Sequence, residues 1–268
     1  MRWFPLLAAL AAVLPAGQAA AAHGGVMIAE GTGIHAELAW PSAARITPAG
    51  PLAEHVALTV TRGADAPQVF PERRLGLVSP VLLEPGSLRV VDLDADGSPE
   101  VVVTGFSYGA HCCYSGRIAY RPAGAARDRL LRIEWGDIAG DLRDADGDGV
   151  PEFVGVDIRF AYAFGVSYAD SAFPAQVLRF RSGRLVDATS SYPAVVRHSM
   201  RRNWGSYRQG RREGRAVADA LAAYLADAGS LGVQRAAWAR VRSAEGARNP
   251  RMLRAIARTL HRWGYRTA

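Results

Sequence analysis

The pattern D-x-D-x-D-G-x-P-E occurs twice in this 268-residue chain, and no other feature constrains its fold as strongly. Asp92-Leu93-Asp94-Ala95-Asp96-Gly97-Ser98-Pro99-Glu100 recurs 52 residues later as Asp144-Ala145-Asp146-Gly147-Asp148-Gly149-Val150-Pro151-Glu152. Each copy runs directly into an apolar stretch, Val101-Val102-Val103 in one case and Phe153-Val154-Gly155-Val156 in the other. Two copies in register signal an internal repeat, and a repeat that leads each time into β-branched residues predicts strands.

The spacing has a chemical rationale. Alternating Asp side chains on a tightly curled loop all turn inward, and each offers a hard carboxylate oxygen. Gly at position 6 allows a backbone conformation that a Cβ opposes. That lets the carbonyl of position 7, Ser98 or Val150, point at the same centre. The Glu at position 9 closes the cage. Oxygen-only ligands favour Ca²⁺ over transition metals. Four carboxylates in nine residues repel one another without a cation, which predicts a poorly ordered empty loop. The alternative is an Asp-rich turn held by side-chain-to-backbone hydrogen bonds and no metal. An EF-hand is excluded, because position 12 is Val103 or Gly155 where that motif needs Glu.

The loops resemble the calcium loops of FG-GAP/VCBS-type repeats, as found in integrin-α-like β-propellers. The resemblance covers roughly residues 87–187. It implies a loop between two strands of a blade, with calcium bound by the side chains at positions 1, 3, 5 and 9 and the carbonyl at 7. Carried over, Asp92, Asp94, Asp96, Ser98 and Glu100 form one structural Ca²⁺ site. Asp144, Asp146, Asp148, Val150 and Glu152 form the other. The implied fold is mainly β, an antiparallel propeller-like domain with a C-terminal helical region. A closed propeller needs several four-stranded blades, and two units are legible. Residues 26–86 are the candidates for degenerate blades, and a β-sandwich carrying the same loops is the other reading. The implied function is that of an exported, non-enzymatic binding or scaffold module.

The rest of the chain sets the context. Residues 1–22 place Arg2 ahead of the apolar run Leu6 to Leu14 and end in Ala20-Ala21-Ala22 as a small-residue cleavage site, the layout of a secretory signal peptide. The run is too short to span a bilayer. This predicts a periplasmic or secreted protein whose mature chain has no transmembrane segment. An apolar content of 49% with 21% charged residues excludes a disordered chain and a multi-span membrane protein. Two Cys exclude a disulfide-stapled miniprotein and a Cys₄ zinc site.

Charge divides the chain. Residues 1–187 hold 16 Arg against 21 Asp and Glu, a net of −5, and residues 188–268 hold 16 Arg against 4, a net of +12. The break predicts a β body over 23–190 and a basic helical region over 191–268. In the body, alternating runs predict strands at 34–40, 55–61, 87–93, 100–106, 116–121, 130–135, 152–158 and 176–183. In the tail, apolar spacing predicts helices at 213–228, 233–242 and 250–263. The last has Asn249 as cap, Pro250 in its first turn, and Arg251, Arg254, Arg258 and Arg262 opposite its apolar stripe. Export argues against nucleic acid as partner of this basic tail. An unknown protein, a glycan or an anionic envelope component fits better, and the plainer reading is a solvated face.

Three further features invite chemistry. His111-Cys112-Cys113 admits a vicinal disulfide between Cys112 and Cys113, free or intermolecularly paired thiols, or a soft-metal site with His111. Gly105-Phe106-Ser107-Tyr108-Gly109 fits G-x-S-x-G, and Ser107, Asp187 and His198 follow the chain order of α/β-hydrolases. A secreted serine hydrolase is therefore the alternative function, although the residues after Gly109 read as turn and strand. Phe160, Tyr162, Phe164 and Tyr168 alternate like one face of a strand, which predicts core packing ahead of a ligand platform.

Overall fold

Alternation in the sequence becomes alternation in burial. In a computed structural model, strand β2 (Ile34–Thr47) turns Ile34, Ala36, Leu38 and Trp40 into the core and their neighbours outward. The structure describes residues 22–77, 79–109, 112–136, 138 and 140–267. The leader expected at 1–22 lies outside them save for Ala22, which opens strand β1 (Ala22–Gly31).

Strands β3 (Gly50–Glu54), β4 (Ala57–Arg62), β5 (Gln68–Phe70) and β6 (Val81–Leu82) follow, with the short helix α1 (Glu72–Leu75) between the last two. Next come β7 (Leu88–Val91), β8 (Glu100–Gly109), β9 (Cys112–Tyr120) and β10 (Arg129–Gly136). All ten join one antiparallel sheet, a curled half-barrel with the path β10-β9-β8-β6-β3-β2-β4-β5. Strand β1 pairs with β2, and β7 shares the edge of β8 with β6. A second sheet has the order β11 (Asp141–Arg143), β12 (Glu152–Val156), β13 (Ala175–Arg181), β14 (Arg184–Asp187).

The repeat is visible as two matching meanders. Strands β7 to β10 and β11 to β14 each run antiparallel in chain order, and each acidic loop closes the first hairpin of its meander. The registers agree: Val91 faces Glu100 in one hairpin and Arg143 faces Glu152 in the other. The meanders share a core of Leu93, Val102, Ile118, Ile133, Phe153 and Phe180. Residues 22–82 do not supply further blades. Their strands continue the first meander edge to edge through β6 and β8, because Leu82 pairs with Phe106.

Four helices complete the chain: α2 (Pro193–Glu213), α3 (Ala218–Ser230), α4 (Gln234–Glu245) and α5 (Pro250–Arg262). The first lies ahead of the three helices expected in this region and is not among them. Its buried face is Val196, Ser199, Asn203, Tyr207 and Gly210, so small and polar residues dilute the apolar period. Helix α3 is buried on nearly all sides and forms the centre of the bundle. On α5, Leu253, Ile256 and Leu260 face inward and the four Arg of the opposite stripe are exposed. Among the described residues no helix is long and apolar enough to cross a membrane.

The aromatic run does not form the strand face that its alternation predicts. Residues Ile158–Phe160 form a 3₁₀ turn, and Tyr162 takes a positive φ of 58°. The turn buries Phe160 completely against Trp263 and Tyr265, with ring centroids 4.9 and 5.9 Å away. Tyr162 is exposed.

Candidate metal centres in two matching loops

Each loop curls by the same device. Positions 4 and 6 lie in the left-handed region in both copies: Ala95 (φ 58°) and Gly97 (81°), then Gly147 (85°) and Gly149 (86°). Those two reversals wrap the chain around the Asp side chains.

Three hydrogen bonds then recur at matched positions. The position-1 carboxylate accepts from the position-6 amide, with Gly97 N to Asp92 Oδ2 at 2.9 Å and Gly149 N to Asp144 Oδ2 at 2.9 Å. The position-5 carboxylate accepts from the position-7 amide, with Ser98 N to Asp96 Oδ1 at 2.8 Å and Val150 N to Asp148 Oδ1 at 2.8 Å. The position-9 carboxylate reaches back to the position-2 amide, with Leu93 N to Glu100 Oε2 at 2.9 Å and Ala145 N to Glu152 Oε2 at 3.0 Å. These are the side-chain-to-backbone bonds of an Asp-rich turn; Asp92 and Asp144 each accept a further amide on their other oxygen, and each carboxylate oxygen keeps a second lone pair that a ligand can use.

The acidic groups converge unequally. In the first loop Asp92, Asp94 and Asp96 each bring an oxygen within 4.8 Å of the others. In the second the converging set is Asp144, Asp146 and Glu152, while Asp148 turns to Arg179, whose Nη2 lies 3.0 Å from Asp148 Oδ2. Glu100 stands at the floor of the first loop, 3% exposed, and Glu152 is fully buried. Ser98 and Val150 sit at position 7 with their amides bonded as above.

The donor set fits a hard divalent cation. Asp94 Oδ1 is buried without a hydrogen-bond partner; Glu152 Oε1 is buried and makes no hydrogen bond either, although Arg179 Nε stands 3.5 Å from it. A buried carboxylate oxygen left unbonded is costly, and a cation removes that cost. The Glu100 carboxyl is pushed up to about 8, by burial first and then by the charges of Asp94, Asp96 and Asp92. The Asp144 carboxyl is held below the usual range by the amides of Gly149 and Gly147.

Two contacts at these loops had no signal in the sequence. Asp94 Oδ2 accepts from the amide of Ser182 at 3.0 Å, tying the first loop to the β13–β14 turn. Arg179 on β13 reaches the second loop. Only the register between distant strands could have revealed either.

The hydrolase constellation lacks its scaffold. Ser107 lies within β8, which continues to Gly109 and is followed by strand β9. The nucleophile elbow needs a helix at that point. Ser107 Oγ accepts from the amide of Cys113 at 2.6 Å. Asp187 Oδ1 accepts from Thr189 N at 2.9 Å, and His198 is exposed on α2. Cys113 is disulfide-bonded. His111 and the side chain of Cys112 lie outside the described residues.

Comparison with known proteins adds one relative. The chain is 35% identical over 106 residues to a probable thylakoid lumen protein of Synechocystis sp.. The match covers 38% of this chain and 30% of that protein, so the chain spans less than a third of its relative's length. No protein-family model matches the chain, and no solved structure does.

Proposed function

We propose that this protein is an exported calcium-binding module of FG-GAP/VCBS type, in which two structural Ca²⁺ ions stiffen a non-catalytic binding surface. One observation carries the reading: the two loops share three hydrogen bonds at distances matching within 0.1 Å. A repeated turn needs no such fidelity unless the geometry it holds is itself used.

Asp92, Asp94, Asp96, Glu100 and the Ser98 carbonyl would hold one ion. Asp144, Asp146, Asp148, Glu152 and the Val150 carbonyl would hold the other. A bound calcium supplies positive charge to oxygens that otherwise repel, and it contributes no reactive chemistry here. The Asp and Glu side chains also orient the loop by accepting from backbone amides, Asp92 and Asp144 through both oxygens. The loops thereby lock the first hairpin of each meander.

The reading of location rests on the leader-like N-terminus and on the relative, a probable lumen protein. Both suit a periplasmic or secreted protein. The partner is a protein, a glycan or an anionic envelope component facing the exposed Arg stripe of α5.

Scanning fluorimetry of the full chain in calcium and in EDTA tests the reading. The expected result is a higher melting temperature in calcium, lost when Asp94 and Asp146 are both replaced by Ala. Superimposable curves for the wild type would refute it.

A further inference from the structure

The two loops sit in equivalent hairpins, yet their third strands present them with different side chains. In the first meander Val101, directly after Glu100, pairs with Ala119. In the second Phe153, directly after Glu152, pairs with Leu178. The registers make Ala119 and Leu178 counterparts, so the next residues, Tyr120 and Arg179, are counterparts too. Tyr120 is neutral, packing edge-on against Phe180 with ring centroids 5.6 Å apart. Arg179 brings a full positive charge to the same place in the other copy.

That charge is already engaged with two of the second loop's carboxylates. Arg179 Nη2 lies 3.0 Å from Asp148 Oδ2, and its Nε lies 3.5 Å from the buried Oε1 of Glu152. The arginine side chain is 21% exposed, so solvent screens it only in part. Near the first loop, Arg62 is spent on a buried carboxylate: its Nε lies 2.9 Å from both oxygens of Asp128. Its Nη1 donates to the Pro99 carbonyl, not to a carboxylate of the first loop.

We infer that Arg179 is an internal cation that competes with the metal at the second loop, so the two loops fill in order, the Asp92–Glu100 loop first. The inference rests on the calcium reading above. A divalent ion within bonding distance of Glu152 Oε1 stands a few ångströms from a guanidinium, and like charges that close repel. Asp148 must also leave Arg179 to become a ligand. Among the described residues the first loop meets neither obstacle, since no Arg forms an ion pair with Asp92, Asp94, Asp96 or Glu100. The arrangement gives one site that stays filled at low calcium and a second that responds to its concentration.

Isothermal titration calorimetry with CaCl₂ on the full chain, stripped with EDTA and then dialysed free of it, separates the possibilities. Asp144→Asn leaves the first loop to report, and Asp92→Asn leaves the second. The expected result is at least tenfold tighter binding by the Asp144→Asn protein. Adding Arg179→Gln to the Asp92→Asn protein should close most of that gap. Equal affinities in the two single-loop proteins, or a second-loop affinity that Arg179→Gln leaves unchanged or lowers, would overturn the inference while the calcium reading stands. Should Arg179→Gln fail to fold, Tyr120→Arg in the Asp144→Asn protein is the reciprocal test. It should weaken the first loop at least tenfold, and an unchanged affinity there overturns the inference. Absence of binding in the wild type would overturn the inference and the calcium reading together.

Discussion

Asp94 accepts a hydrogen bond from the amide of Ser182 at 3.0 Å, across 88 residues of chain, and so clips the first acidic loop onto the second meander. Its other oxygen is buried and unpartnered. One side chain thus serves two purposes, and substitutions separate them. Asp94→Ala should destabilise the protein by at most about 1 kcal/mol in EDTA, because the Ser182 amide loses an acceptor in an exposed bond. Asp94→Asn keeps an acceptor and should melt close to wild type in EDTA, while losing much of the calcium shift. Fluorimetry on both variants checks this, and equal losses in EDTA would count against it.

Position 4 offers a stability test that needs no metal. Ala95 holds a left-handed φ of 58°, where the matching residue of the second loop is Gly147. A Cβ in that region costs about 1–2 kcal/mol, partly offset by the extra freedom that Gly gives the unfolded chain. Nothing lies within 4 Å of where a Cβ on Gly147 would point, so strain and not collision is at issue. Ala95→Gly should raise the urea midpoint slightly, and Gly147→Ala should lower it by roughly 1 kcal/mol equivalent. Shifts of the same sign would sink the argument.

Asp128 is the buried hub behind the first loop. It is 4% exposed and takes Arg62 Nε at 2.9 Å and Arg121 Nε at 2.9 Å. Arg62 in turn donates to the Pro99 carbonyl at 2.8 Å, next to Glu100. Removing the carboxylate strands a buried guanidinium, which typically costs about 3–5 kcal/mol. Asp128→Ala should show that loss in chemical denaturation. A loss below about 1 kcal/mol would mean that Arg62 finds water instead.

Asp227 predicts a pH dependence. It is 1% exposed on α3 and accepts from Ala175 N at 2.9 Å and from Asn203 Nδ2 at 2.9 Å. Burial pushes its carboxyl up to about 7, against the opposing pull of those donors, Ser199 and the charge of Arg202. The unfolded chain releases this proton near the ordinary value of 3.8. Between about pH 4 and 7 the folded state therefore binds more protons, and this residue's contribution falls as pH rises. Below and above that window it is flat. The change is on the order of a few kcal/mol, and Asp227→Asn should remove most of it. Urea unfolding of both proteins at pH 4.5 and 7.5 measures it. An identical difference between them at the two pH values would show that Asp227 does not titrate in that range.

Much of the body was legible because half-buried strands write their period into the sequence. The run 34–40 lies inside β2, and 100–106 lies inside β8. The strands that left no trace are short or atypical: β6 has two residues, β5 and β11 have three, β14 has four, β3 opens on Gly50-Pro51, and β1 is half Gly and Ala beside an expected leader. The loops were legible residue by residue, since their ligand types and their left-handed positions are local properties. What surrounds them was not. Arg179 reaches Asp148 only because β13 pairs with β12 in one register, and Ser182 meets Asp94 only because the meanders pack together. Helix α2 stayed hidden because its inner face uses Asn203 to bond the Phe173 carbonyl and Asp227, and uses Gly210 for close approach to Val217.

The bond between Asp227 and Ala175 has a consequence for how this chain can be divided or inherited. Ala175 begins β13, the strand that also carries Arg179. A fragment ending near residue 190 would leave that amide and the Phe173 carbonyl bare, and would uncover Phe160. The switch from acidic to basic composition coincides with the passage from sheet to helices, and buried contacts cross it. Any shuffling event that exchanged the arginine-rich end would also have to rebuild the start of β13, whose first amide it caps.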